Sequence, residues 1–428
     1  MEEKKNAPKI GTALWFPVDN AANLYGGARR RGWARTLRLS VVLNETVKPE
    51  LLQQALDDVC VRFPTFCAAV RSGMFWNYFE RVQSKAIVRK ETDFPGRPIN
   101  TEHTTQPNFR ILYYLRRVTL EVFHGMTDGG GSVRFLASLI ARYYELQGET
   151  IEDSPIILRT SDSPTEEETE DPFILNSKSD IAAKNYIKAD VYYEKQPWNR
   201  DYMRLTHGFC RVEDLKAAAS RYALTITEYL TAVLIYSYIQ TAPKPIDKAI
   251  SISIPLDLRR RFGTESVRNF CYMTDISFHP HGRRDVPFSE ICESIAGMLQ
   301  SNATLEYLTT EISQNVRAQQ SPLLRAVPYP LKHVFLRNTY RKNQRSFTTF
   351  LSNIGDFNTP PALLSHIDRA EFTLGETPFN PFGVGLVSVN GLLTITFNDC
   401  TDNTEKQRCF FRFLTSQGVA MRVESNRK

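Results

Sequence analysis

The stretch Glu121-Val122-Phe123-His124-Gly125-Met126-Thr127-Asp128-Gly129-Gly130-Gly131 sets an imidazole and a carboxylate four residues apart, where an alternating segment runs into glycine. Upstream, Val118, Leu120 and Val122 alternate with Arg117, Thr119 and Glu121, the period-2 pattern of a strand with one buried face. Downstream, Val133, Phe135, Leu136, Leu139, Ile140 and Tyr143 recur at helical spacing, which predicts a helix over 132–146 that Gly148 stops. His124 therefore ends a strand and Asp128 lies in the turn before a helix, where a rigid scaffold can present a reacting group. A neutral imidazole there can take a proton from an attacking hydroxyl or amine, because its unperturbed pKa lies near working pH. A structural, hydrogen-bonded histidine is the alternative. Asp128 is open to two compatible readings, a cap on the helix N-terminus or one half of a buried ion pair.

Outward from this segment, Leu37, Leu39, Val41 and Leu43 alternate as a strand, and 47–61 reads as a helix stopped at Phe63-Pro64. Further strands are expected over 75–82 and 109–114. Residues Ser161 to Pro172 are acidic, Pro-bounded and without apolar periodicity, and read as an exposed linker. Beyond it, helices are expected over 212–222, 227–240 and 288–305, with Thr225 and Glu228 spaced as a capping box. Strands are expected over 249–254 and 348–354, and a hairpin around Asn390-Gly391. Strands and helices mix without strict βαβ alternation and without a solenoid period. The fold class is mixed α/β, with two similar lobes, each a sheet with flanking helices. The boundaries are 1–160 for the lobe carrying the motif, 161–178 for the acidic linker and 179–428 for the second lobe.

Composition narrows the function classes. A chain of 428 residues with 42% hydrophobic content can bury two cores, and a formal charge of +6 is too slight to imply nucleic acid. No apolar segment follows the charged Met-Glu-Glu-Lys-Lys start, and the longest apolar stretch, 229–239, falls short of a membrane span. Seven cysteines without a C-x-x-C pair predict free thiols in a reducing compartment, the cytoplasm. No His-Glu-x-x-His, clustered metal-ligand set, P-loop or Gly-x-Gly-x-x-Gly is present, so no metal is expected. Ser132 follows three glycines at a strand–turn–helix junction, but Arg134 stands where a nucleophile elbow needs glycine.

The His-x-x-x-Asp-Gly pattern at His124 to Gly129 resembles that of the chloramphenicol-acetyltransferase-like superfamily, which includes condensation domains, BAHD acyltransferases and alcohol O-acetyltransferases. Ile254-Pro255-Leu256-Asp257-Leu258-Arg259 is similar to its Pro-x-Asp-x-Arg strand end, and Phe350 to Gly355 to its Ser-Asn-hydrophobic-Gly strand. Asn380 to Gly385 is similar in place and glycine spacing to the BAHD Asp-Phe-Gly-Trp-Gly motif, but Pro381 and Val384 replace its Asp and Trp, so no role is carried over. Phe123 stands where condensation domains have a first histidine, which makes the alcohol acetyltransferase branch the nearest likeness.

The resemblance implies two lobes around a central channel, with His124 as general base. It implies an Asp128–Arg259 ion pair that shapes the loop, and a Gly129 N–H that donates to substrate. Ser352 and Asn353 become candidates for substrate hydrogen bonds, with plain strand pairing as the alternative. The reaction implied is acyl transfer from acyl-coenzyme A, or from an acyl carrier protein, to a small alcohol or amine. Acyl-coenzyme A is then a co-substrate, no bound cofactor is expected, and the protein is expected to be a monomer. The basic run Arg29-Arg30-Arg31 with Trp33 and Arg35 reads either as a coenzyme A phosphate contact or as a solvated loop. A binding or scaffold protein of the same fold is the competing reading, because function lives in the site.

Overall fold

The computed structural model describes residues 15–19, 22, 36–101, 104–181, 190–194, 202–375 and 382–427. The basic run from Arg29 to Arg35 and the residues Asn380 and Pro381 lie outside them.

The segment that ends at His124 is the Arg117–Phe123 strand, in the middle of a five-stranded sheet. Its neighbours are Thr36–Leu43 and Phe109–Tyr114, flanked by Ile367–Leu374 on one side and Val88–Lys90 on the other. Leu120 pairs with Leu39 on one side and Ile111 on the other, so the alternating apolar positions line up on one face. That face packs on the Pro49–Arg62 and Gly129–Glu145 helices, and Leu39, Leu120, Val122, Leu56 and Leu136 are wholly buried.

The alternating pattern suggests that the polar face meets solvent. It does not. All eight residues of Thr36–Leu43 are buried. Arg38 Nη1 donates to Glu121 Oε1 at 2.7 Å, Arg110 Nε donates to Glu121 Oε2 at 2.6 Å, and the Ser40 and Thr119 hydroxyls meet at 2.8 Å. The second lobe covers most of this face, leaving a cleft beside it, and these polar side chains pair with one another.

The second sheet has seven strands in the order Cys271–Phe278, Ile250–Asp257, Thr349–Asp356, Phe382–Val389, Leu392–Asp399, Arg204–Arg211, Arg422–Ser425. The Thr349–Asp356 strand runs parallel to both neighbours. The Ile226–Thr241 helix is buried nearly all round, and the Thr225–Glu228 capping box starts it as the sequence predicts. The Asn390-Gly391 hairpin also forms, with both residues at positive φ (53° and 73°), as a type I′ turn requires. A small third sheet joins Trp15–Pro17, Asn77–Arg81 and Ala68–Ser72.

Three sequence expectations need correction. The strand Ile367–Leu374 leaves the second half and pairs antiparallel with Thr36–Leu43, so the first core includes Phe357, Leu363, Ile367 and Phe372. A boundary at 160/179 therefore does not separate the two cores. Residues 161–178 are half exposed, as expected of a linker, but they are not without structure. Two short helices, Glu166–Thr169 and Pro172–Leu175, turn Glu168 and Phe173 inward. Glu168 accepts from Nη1 and Nη2 of Arg62, at 2.6 and 2.7 Å, and Phe173 stacks edge-on against Phe270. Finally, the single helix expected over 288–305 stops after Phe288–Ile295, because Gly297 adopts φ +73°, and a new helix runs from Leu305 to Gln320. Among the described residues none of the seven cysteines forms a disulfide. Among the described residues no helix is long and apolar enough to cross a membrane.

Candidate active site

The strand hands the chain to a tight turn, closed by Met126 N donating to Phe123 O at 2.8 Å, and the Gly129–Glu145 helix starts at once. His124 sits in this turn, half-buried. Its Nδ1 lies 3.2 Å from the carbonyl oxygen of Thr127. A carbonyl oxygen only accepts, so Nδ1 carries the proton and Nε2 is the basic nitrogen of the ring. Burial pushes the imidazole below its ordinary value. Backbone oxygens, the Asp128 charge and Asn269 pull the other way without cancelling that effect.

Asp128 fills both roles that the sequence left open. Its Oδ1 accepts from Gly131 N at 3.1 Å, which caps the helix. The same carboxylate takes Arg259 Nη2 at 2.8 Å on Oδ1 and Nη1 at 3.1 Å on Oδ2, and Phe270 N donates to Oδ2 at 2.6 Å. The two side chains are 4% and 5% exposed. Arg259 also donates from Nε to Ser266 O at 2.7 Å, from Nη2 to Arg268 O at 2.5 Å and from Nη1 to Asp257 Oδ1 at 2.9 Å. Every guanidinium N–H is engaged, and Asp257 is a second carboxylate partner as well as the strand's end. Burial alone would raise the Asp128 pKa, but Arg259 and the N–H groups of Phe270 and Gly131 hold it below the usual carboxylate range. Arg260 and Arg261 are exposed, as expected of surface charges.

The glycine run is a packing requirement. A Cβ on Gly129 would lie 2.6 Å from Ile354 Cγ2, and one on Gly130 2.6 Å from Arg259 Nη1. On Gly131 it would lie 2.1 Å from Thr127 Oγ1 and 2.2 Å from Val267 O. Three elements of the second lobe thus close on one helix start. Gly129 meets the Thr349–Asp356 strand, so the segment from Ser352 to Gly355 lies beside the turn that carries His124. Ser352 is buried and pairs with Gly385 across the sheet. Asn353 donates from Nδ2 to Thr227 Oγ1 at 3.0 Å and accepts Gly355 N on Oδ1 at 2.9 Å, ties that brace the strand end. Ser132 is wholly buried, and its hydroxyl finds no partner among the described residues, so it is no exposed nucleophile.

The sequence reading missed the segment from Val267 to Phe270. Thr127 Oγ1 donates to Val267 O at 2.7 Å, and the buried Asn269 donates from Nδ2 to Gly125 O at 3.1 Å and contacts His124. Nothing in its composition signals this role, which depends on a contact across more than a hundred residues. Between the lobes, against the polar face of the first sheet, lies a cleft of about 700 Å³ lined by Arg38, Glu91, Arg117, His207, Glu371 and Thr396 among others. Burial opposes ionisation of Glu371, but His207, Arg117 and Arg369 bring its pKa down to about 2. Among the described residues no cluster of His, Cys, Asp or Glu is arranged to hold a metal ion.

No protein-family model and no curated protein sequence matches the chain. Solved structures do. Similar in fold are TRI101 of F. sporotrichioides, complexed with coenzyme A and T-2 (TM-score 0.63, 10% identity, 96% of this chain and 100% of that one), and polyketide synthase associated protein 5 of Mycobacterium tuberculosis (0.60, 13%, 95% and 98%). The starter condensation domain of rhizomide synthetase RzmA, in complex with C8-CoA and Leu-SNAC, is similar too (0.62, 14%, 94% and 94%). The chain shares the fold of these three proteins. At these identities the likeness extends to the two-lobed architecture and no further. The expected fold class is borne out.

Proposed function

We propose that the protein is an acyltransferase that moves an acyl group from acyl-coenzyme A to a small alcohol or amine, with His124 as general base. The observation that carries this reading is the Nδ1–H donation to Thr127 O, which leaves Nε2 as the basic nitrogen of a half-buried ring. The Asp128–Arg259 clamp holds the turn in that shape, so Asp128 is a positioning residue. Support of a different kind comes from the similar structures, two of which hold coenzyme A or C8-CoA.

In the proposed reaction Nε2 takes the proton of the acceptor hydroxyl or amine as its heteroatom attacks the thioester carbonyl carbon. The carbonyl oxygen takes the electron pair of the C=O π bond, and the N–H of Gly129, at the positive end of the helix, is proposed to donate to it. Collapse re-forms the carbonyl and breaks the C–S bond. The imidazolium then returns its proton to the leaving thiolate, so free coenzyme A departs and no acyl-enzyme forms. Ser352 is proposed to line the acyl path, and Asn353 to support the strand that does so.

The test is thiol release from acyl-coenzyme A with a panel of alcohols and amines, for wild type and His124→Ala. Loss of a general base is expected to slow transfer about 10²–10⁴-fold, with the melting temperature nearly unchanged. Wild-type rates in a folded His124→Ala protein would refute the reading. No thiol release from wild type with any donor or acceptor would favour a binding protein, and release only from a carrier-bound thioester would move the donor to the carrier protein.

A further inference from the structure

Between Glu311 and Asp356 the chain carries seven Lys and Arg residues and no acidic residue at all. Much of this segment forms the Tyr329–Gln344 helix. Its first turn is tied to the tip of the hairpin between Ala68–Ser72 and Asn77–Arg81. Tyr329 N donates to Met74 O at 2.8 Å, and Lys332 Nζ donates to Phe75 O at 2.9 Å while lying 3.4 Å from the centre of the Trp76 ring. Asn77 Nδ2 donates to the Tyr329 hydroxyl at 2.7 Å. Lys332 and Leu336 thus mark the inward side of the helix.

The outward side is unusual. Leu331, Val334, Asn338 and Lys342 follow at three- and four-residue spacing, along one face, with Arg337 beside them. Leu331 is 66% exposed and Val334 58%, and Met74 and Phe75 at the adjoining hairpin tip are 71% and 41% exposed. Arg325, Arg337 and Lys342 are exposed and form no ion pair among the described residues. Single exposed apolar residues are ordinary on a soluble protein. Four large ones at one tip, beside a run of cations with no carboxylate among them, form a directed surface.

We infer that this surface docks on an anionic lipid bilayer. Its charge is complementary to anionic headgroups, and Leu331, Val334, Met74 and Phe75 are of the type that enters the boundary between headgroups and acyl chains. An acidic soluble protein would account for the cations but leave the apolar tip unexplained. Docking of this kind is peripheral and independent of the chemistry proposed for His124.

The test is co-sedimentation of the full-length protein with vesicles of phosphatidylcholine alone or mixed with phosphatidylglycerol, at low and high salt. Binding is expected only to the anionic vesicles and is expected to fall as salt rises. Each near-surface cation contributes about fivefold in partition, so Arg337→Gln with Lys342→Gln should weaken binding roughly 25-fold. Leu331→Ser with Val334→Ser should weaken it as well, and Phe75→Ser supplies an independent variant from the hairpin. All these side chains are exposed, so melting temperatures should match wild type. Failure to bind anionic vesicles at low salt would overturn the inference, as would binding unaffected by both sets of substitutions. Sensitivity to the charge variants alone would also overturn it, because the apolar tip would then take no part in the docking.

Discussion

Replacing either member of the Asp128–Arg259 pair tests whether the clamp holds the His124 turn. In Arg259→Ala the Asp128 carboxylate, 4% exposed, keeps only the N–H groups of Gly131 and Phe270 as donors. Stranding a buried charge in this way costs about 3–5 kcal/mol. The carbonyls of Ser266 and Arg268 lose their donor too, which adds roughly 1–3 kcal/mol each where water cannot reach them. In Asp128→Ala the guanidinium keeps Asp257, whose side chain is 51% exposed and can only partly replace the lost partner. The helix loses its cap, worth about 1 kcal/mol, and Phe270 N loses its acceptor. Both single variants should therefore be strongly destabilised, Arg259→Ala the more so. The double variant strands no charge and should lose less than the sum, by about 2 kcal/mol, within the range for residues in contact. Urea unfolding followed by circular dichroism supplies the four values of the cycle. Additivity to within about 0.5 kcal/mol would refute the argument, because it is the behaviour of independent sites. The stabilisation also has a sign with pH. The folded Asp128 has a pKa below its ordinary 3.8, so its contribution is present above that value and is lost as pH falls through the folded pKa.

Burial lowers the His124 pKa below 6.5, and the base acts when neutral, so the acid limb of kcat/KM should have its midpoint below pH 6.5; a midpoint above that value would mean that the neighbouring charges outweigh burial. Gly131→Ala sets a Cβ 2.2 Å from the Val267 carbonyl and should cost at least about 1–3 kcal/mol, whereas Gly129→Ala meets only the side-chain Cγ2 of Ile354 and should cost less, as urea midpoints will report. A fragment ending at residue 178 lacks the Ile367–Leu374 strand and leaves Thr36–Leu43 as an open apolar edge, so it should aggregate or stay unfolded; a monomeric fragment with native-like amide dispersion would contradict this.

The local elements were legible because each has a local cause. Apolar periodicity marks Arg117–Phe123 and Gly129–Glu145, the Thr225–Glu228 spacing marks a helix start, and Asn390-Gly391 marks a turn. The site was legible in part. His124 and Asp128 share one loop, and Arg259 was found through a resemblance, since nothing local relates residue 259 to residue 128. Asn269 was not found, because its partners Gly125 and His124 are distant in sequence and a lone Asn in a polar stretch carries no signal. Asp257 looked like a strand end and proved to be an Arg259 partner for the same reason.

The covered polar face of the first sheet and the inward turn of the acidic segment have a common origin in charge pairs between separate elements. Alternation says that the two faces of a strand differ, not that the second face is wet. Here Arg38, Glu121, Arg110, Ser40 and Thr119 match one another across neighbouring strands, so their face can be covered without leaving a charge unpaired. The exchanged strand adds Glu371, which pairs with Arg117 and Arg369. Glu168 does the same for the acidic segment by matching Arg62. In each case a charge that looks solvated in the sequence is buried because its counter-charge comes from another element. A more useful question for such a strand is therefore whether its polar positions can be neutralised by a neighbour. For Arg38 and Glu121, directly paired across two adjacent strands, the answer depends only on strand register, which the apolar alternation itself fixes.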